Sequence, residues 1–460
     1  GIVGITPDPD TLFELSYDRS RGWAKYAHGM MDGAQFDRDS YAAKFERAHL
    51  SPVVEKLTMQ FNHDMIDHVM DNYTLRPGGM MGTDVKRVQY GVHAVADLRF
   101  SPRSTGAVGI DLRRDAHYFA EAHRRLKGTL GNDMDIENLG IFIEYNRDLS
   151  AYSSLLTGLR WDKMETDYHN ARFRNPRGML TRDLVPGSAV DHAVSGFVRY
   201  EQTAKTRPLT FYVGLGHAER PADYWEAYHT WAAYSNRRMG MSADPAATRP
   251  RREKNTQLDL GWIYEDARTR ANLSLYYAQV DDFILRLPQI GMGMNARTPY
   301  GNVDARLYGL EAEMTRAVSP HWTLGASLAY TRGDDRTNDA PLPQIAPLEA
   351  NLTAKYSLKK VEANAVWRLV SHQNRYHRGY GSVTGTDYGP TGGFGVLSLS
   401  LAYRPDENVT LSLGVDNVCN KTYAEFVNYS AAPIAALGIA GGGHITEPGR
   451  TLWLKTTCRF

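Results

Sequence analysis

The sequence predicts an all-β chain, a transmembrane antiparallel β-barrel, and three observations carry that expectation. Apolar and polar residues alternate with period two through segment after segment, as a strand with one wet and one apolar face requires. The connections between these segments alternate between short and long along the whole chain, the pattern of barrels with tight turns on one rim and long loops on the other. The composition, 27 Tyr, 14 Phe, 8 Trp and 41 Gly in 460 residues, suits strands, turns and interfacial belts better than a helical core.

The chain opens with GIVGITPDPD, which has neither the basic n-region nor the apolar h-region of a signal peptide. It therefore reads as already processed or as a piece of something longer. A first strand is expected over Thr11 to Ser20. In the stretch Leu139 to Tyr145, Leu139, Ile141, Ile143 and Tyr145 share one face and Gly140, Phe142 and Glu144 the other. The same grammar sets Leu209, Phe211, Val213 and Leu215 against Thr210, Tyr212, Gly214 and Gly216, then Leu273, Leu275 and Tyr277 against Asn272, Ser274 and Tyr276. It returns in Trp322 to Tyr330 and in Leu397 to Arg404. About 18 segments of this kind, each of about 10 residues, are expected, the length a tilted membrane-crossing strand needs. Short turns are expected at His49 to Pro52, Ser101 to Gly106, Glu265 to Arg268, Pro320, Ser357 to Lys360 and Pro405 to Asn408. Long loops are expected at Ser20 to Asp39, Ile66 to Asp84, Ala120 to Asn138, Glu165 to Ser188, Glu219 to Arg252, Gln289 to Asn302, His372 to Gly392 and Lys421 to Gly449.

Charge and motif content narrow the function. With 53 Lys and Arg against 52 Asp and Glu, the net charge of +1 provides no long-range field for nucleic acid. Mean hydropathy is −0.46, and no apolar run approaches the roughly 18 residues of a spanning helix. Cys419 and Cys458 are too few for a disulfide framework or a thiolate zinc site, and strand position puts them at opposite ends of the wall. No GxSxG, HExxH, Walker or GxGxxG motif stands in the chain, and His-Asp neighbours such as Asp191-His192 or Asp115 near His117 need no catalytic explanation. An enzyme is not expected.

The end of the chain, PGRTLWLKTTCRF, places Leu452, Leu454, Thr456, Cys458 and Phe460 on one face, like the closing strand of an outer-membrane barrel. Together with LSLGVDNVCNKTYAEF (Leu411 to Phe426), the Pro448-Gly449-Arg450 element and RPRREKNTQLDLGWIYED (Arg249 to Asp266), it resembles the TonB-dependent receptors over nearly the whole chain. Such receptors have about 22 strands and a plugged lumen. The resemblance implies that residues 1–460 are the C-terminal part of a receptor barrel, with the N-terminal plug, the TonB box and about four first strands outside this chain. It also implies a multi-pass barrel in the outer membrane of a Gram-negative bacterium, in contact with lipid and lipopolysaccharide, monomeric, and coupled to the TonB complex through the plug.

Methionine suggests the cargo. Nearly all of the 15 Met fall in the expected loops or at their bases: Met30, Met31, Met65, Met70, Met80, Met81, Met134, Met164, Met179, Met239, Met241, Met292 and Met294. Gap-filling under folded loops is the plain reading. A soft-metal surface is the other, since thioether and imidazole favour Cu(I) over hard cations and also accept silver. Gly291 to Met294 and Arg238 to Met241 are candidate external capture sites, with flexible loop tips as the plainer reading. The element Asn62-His63-Asp64-Met65, followed by His68 and Met70, resembles the His-x-Met copper motif of a copper receptor in the family, where a Cys-x-x-x-Met element of the plug completes the site. The resemblance implies His63 and Met65 as metal ligands and copper import as the function, with a siderophore or haem receptor, or a barrel-anchored adhesin, as alternatives. Strict alternation from Leu57, Met59 and Phe61 turns His63 and Met65 outward, so lumenal ligation by that pair needs a bulge near Asn62.

Overall fold

The computed structural model describes residues 1–26, 31–76, 79–123, 126–169, 172–174, 178–290, 297–428 and 443–459. Nineteen long strands follow one another as an antiparallel meander. They are β1 (Ile2–Asp8), β2 (Thr11–Ala24), β3 (Asp32–Ala48), β4 (Val54–Asp71), β5 (Met81–Ser101), β6 (Ser104–His123), β7 (Gly131–Ser150), β8 (Ser153–Tyr168), β9 (Gly187–Thr203) and β10 (Leu209–Arg220). After one long connection come β11 (Glu253–Glu265), β12 (Thr269–Arg286), β13 (Tyr300–Ala317), β14 (Trp322–Asp335), β15 (Glu349–Leu358), β16 (Val361–Val370), β17 (Phe394–Tyr403), β18 (Val409–Asp416) and β19 (Thr451–Cys458). Each pairs with its neighbours in sequence, and among the described residues β1 and β19 do not pair with each other. Among the described residues no helix is long and apolar enough to cross a membrane.

Tight turns and long connections alternate, and the tight turns have a shared chemistry. Asp8, Ser51, Ser101, Ser150, Asp266, Ser319 and Asp406 each accept a hydrogen bond from a backbone N–H two or three residues on, fixing the reversal from its first residue. The β1–β2 turn escaped the sequence reading, so the expected first strand has a partner ahead of it. Strand length also departs from expectation. β3 to β7 run for 17 to 21 residues, beyond what a membrane crossing needs, so much of what reads as loop over 20–39, 66–84 and 120–138 is wall standing above the bilayer. Charged residues interrupt the alternation there, which hides strand from a pattern search.

The two faces follow from the pleat. Leu159, Ile143, Leu215, Leu413 and Leu454 are exposed at 65, 52, 50, 51 and 76%, an apolar outer band with lipid as its natural solvent. The opposite face carries ion pairs such as Arg160 with Asp162 at 2.7 Å and Arg38 with Asp64 at 2.7 Å.

Helix α1 (Tyr224–Tyr234) interrupts the connection from β10 to β11. Asp223 caps it, accepting from the Glu226 N–H while the Glu226 side chain accepts from the Asp223 N–H, a reciprocal capping box. Its Tyr224, Tyr228 and Trp231 pack with Phe119, Met134, Tyr168 and Leu184 in the largest buried apolar cluster of the described chain.

Candidate functional site

β4 carries two His-x-Met pairs, and the pleat separates them. The β3–β4 ladder runs without a register shift from Gln35–Val69 to Ala48–Lys56, and the β4–β5 ladder from Lys56–Asp97 to Asp71–Gly82. No bulge therefore exists near Asn62. His63 and Met65 stay on the face of Phe61 and Met59, the outward one, and the lumenal position that ligation by this pair requires is not the one the ladder provides. His63 instead completes a row of rings across four strands. Tyr17 and Tyr41 lie 4.9 Å apart, Tyr41 and His63 6.2 Å, and His63 and Tyr90 4.3 Å, an interfacial belt in which imidazole replaces a phenol. Its Nδ1 lies 3.1 Å from the Gln89 carbonyl oxygen.

His68 and Met70 share the parity of Asn62 and Asp64, the inward face. Two residues apart on a strand, their Cα atoms are about 7 Å apart with side chains parallel. The His68 ring stacks on Phe36 at 4.5 Å, and among the described residues its Nε2 is buried with no hydrogen-bond partner. In the tautomer that protonates Nδ1, this unpartnered Nε2 carries the lone pair that a soft cation takes. The rim above is pinned by Arg76, whose Nε donates to Asp32 Oδ2 at 2.7 Å with both side chains nearly excluded from solvent. Asp71 accepts from the Tyr73 and Thr74 N–H groups and so closes the turn that follows Met70.

The remaining candidates divide. Met134 is fully buried and Met164 packs against the same cluster beneath α1, so these two fill space. Met239 and Met241 flank a turn in which Gly240 takes a φ of 73°. Met30, Met292 and Met294 lie outside the described residues, as does Phe460. Both cysteines are free and exposed. Asp115 is held by Arg87 at 3.1 Å and Arg113 at 3.0 Å, and Asp191 pairs with Arg249.

The sequence reading missed what anchors α1. His117 Nδ1 lies 2.7 Å from Asp133 Oδ1, Tyr224 Oη donates to Asp133 Oδ2 at 2.8 Å, and the His117 and Tyr224 rings stack at 3.7 Å. Burial raises the Tyr224 phenol well above its ordinary value. On the helix's neighbouring face, burial and the charges of Arg286, Arg182 and Arg297 bring His229 down to about 4. Only the run of aromatic residues in DYWEAYHTWAAY signalled this docked helix.

A meander of tall strands with tight turns at one rim, an apolar outer band and a polar inner face defines an outer-membrane β-barrel protein. The chain belongs to the TonB-dependent receptors: the family model for the receptor-like β-barrel matches residues 3–418. The copper transporter OprC superposes over 100% of this chain and 71% of its own, with a TM-score of 0.91 and 34% identity. The ferric yersiniabactin uptake receptor FyuA from Yersinia pestis superposes over 100% of this chain and 70% of its own at a TM-score of 0.70, but at 15% identity it shares the fold alone. In sequence, the ferric-pyoverdine 358 receptor of Pseudomonas putida is 25% identical over 297 residues, 62% of this chain. The match spans only 32% of that receptor's length.

Proposed function

We propose that this chain is the greater part of the barrel of a TonB-dependent transporter that binds and imports copper. The observation that carries the reading is the inward His68-x-Met70 pair, whose imidazole has a buried and unpartnered nitrogen, on a wall that is 34% identical to a copper transporter along its full length. Imidazole and thioether together favour Cu(I), and silver is the natural competitor. We assign the barrel's donors to His68 and Met70 in place of His63 and Met65, because the first pair faces the lumen and the second faces lipid. Two donors do not saturate an ion, so the remaining ligands belong to a plug, which is also the part through which TonB would act. Among the described residues the outer edges of β1 and β19 are unpaired, which supports the reading that further strands belong to the complete receptor.

A ferric-siderophore cargo is the second reading, favoured by the 25% identity to the ferric-pyoverdine receptor. Cellular copper uptake separates the two. A strain carrying the complete receptor should accumulate copper from medium free of siderophores and lose that accumulation when TonB is deleted. Unchanged copper levels in the TonB deletion would sink the transport reading, and TonB-dependent iron uptake without copper uptake would favour the siderophore.

A further inference from the structure

His68 and Met70 each face a β3 residue across the ladder, and those two residues touch each other. Phe36 is the partner of His68 and Gly33 the partner of Met70, with Ala34 the extra residue of a bulge between them. The Phe36 ring leans over Gly33, where an added Cβ would lie 2.0 Å from Phe36 Cε2 and 2.2 Å from Cζ. On its other side Phe36 faces Gly22 of β2, so the facing residue has no side chain to draw the ring away. Its face stacks on the His68 imidazole, with centroids 4.5 Å apart and planes 26° from parallel. Val85, the partner of His68 on β5, packs against the buried cluster beneath α1. The imidazole is thus flanked on both neighbouring strands, by a ring with a fixed seat and by a side chain that belongs to a packed cluster.

We propose that Phe36, seated on Gly33, is the positioning residue of the barrel's copper donors, holding the His68 imidazole in the orientation that offers Nε2 to the cation Met70 also binds. The inference rests on the copper reading above and adds to it the residue that makes the histidine a ready donor. An imidazole turns about two side-chain torsions, and a donor that must be ordered as the ion arrives gives up affinity. Residues that orient a metal-binding histidine without touching the metal are worth about 10- to 100-fold in affinity. Phe36 acts through a ring face, so it orients the imidazole without taking either nitrogen. Glycine at position 33 serves the same end, since a side chain there would push the ring off its seat.

The test is the Cu(I) affinity of the complete receptor, measured without oxygen in competition with a colorimetric Cu(I) chelator. Phe36→Leu fills the space but offers no ring face, and Gly33→Ala keeps the ring but displaces it. Each should weaken Cu(I) binding about tenfold or more. Phe36→Tyr keeps the face and should bind as wild type does. X-ray absorption of the loaded receptor should show imidazole scattering in wild type and Phe36→Tyr that is weakened in Phe36→Leu while sulfur scattering remains, a change that loss of packing alone would not give. Melting temperatures of the three variants control for folding. Copper lost in His68→Ala but held at wild-type affinity in Phe36→Leu and Gly33→Ala overturns the positioning role and leaves the copper reading standing, as does Phe36→Tyr binding as weakly as Phe36→Leu. No Cu(I) binding by wild type, or full affinity in His68→Ala, overturns both.

Discussion

His63 lies face to face with Tyr90, their centroids 4.3 Å apart and their planes 17° from parallel, on the outer side of the wall whose inner side carries His68. An odd separation on an unbroken strand puts two histidines on opposite faces. The finding puts the two His-x-Met pairs of β4 on opposite faces of the wall. Its first consequence concerns stability: His63→Ala removes a belt stack worth about 1 kcal/mol and should lower the melting temperature of the detergent-solubilised receptor slightly. His63→Phe should restore it. Equal melting of His63→Ala and wild type would mean that the ring row contributes nothing.

Asp133 joins His117 and Tyr224 beneath α1, and its side chain is 1% exposed. Asp133→Ala leaves a buried imidazole and a buried phenol without their acceptor, a loss of about 3 kcal/mol. The variant should be cleaved by protease in 221–252 at concentrations that spare the wild type, while the barrel wall stays intact. Equal resistance in both proteins would contradict the anchoring role.

The docking of α1 should weaken with acid. His229 has an ordinary value of 6.5 and a folded value of about 4. The undocked form therefore binds the proton more readily, so docking is at full strength above pH 6.5 and weakens progressively as pH falls towards 4. Glu226, whose carboxyl burial raises, acts in the opposite sense, and the difference between wild type and His229→Asn isolates the histidine. Trp225 stacks on His229 and reports the change by fluorescence. The wild-type signal should shift between pH 6.5 and 4, and that shift should be absent in His229→Asn. An identical profile in both would refute the assignment.

Cys419 and Cys458 are free and exposed, next to opposite ends of the β18–β19 ladder, where Asp416 pairs with Thr451 and Val409 with Cys458. Denatured receptor treated with maleimide should gain two labels on these positions without prior reduction. One label or none, rising to two after reduction, would reveal a disulfide.

Much of the wall was legible in the sequence because one force dominates it: lipid on one side and water on the other enforce period two in Leu139 to Tyr145 or Leu397 to Tyr403. Above the membrane both faces are wet, the alternation lapses, and β4 and β5 read as a loop over Ile66 to Asp84. That lapse concealed His68 and Met70 as strand residues with a defined face. The same rule, applied from Leu57 onward, had already turned His63 and Met65 outward, and only the continuous ladder could decide between that parity and a bulge. The anchor of α1 was illegible for another reason, since His117, Asp133 and Tyr224 are brought together by tertiary packing and share no local pattern.

In the function proposed above, His68 and Met70 are the pair that the barrel presents to copper. Metal content by mass spectrometry of the complete, detergent-purified receptor after copper loading tests it most directly, with His68→Ala and Met70→Ala compared against His63→Ala and Met65→Ala. Near-stoichiometric copper is expected in wild type and in the two outward variants, and a sharp loss in each inward one. Copper retained in His68→Ala and Met70→Ala, or lost in His63→Ala and Met65→Ala, would contradict it.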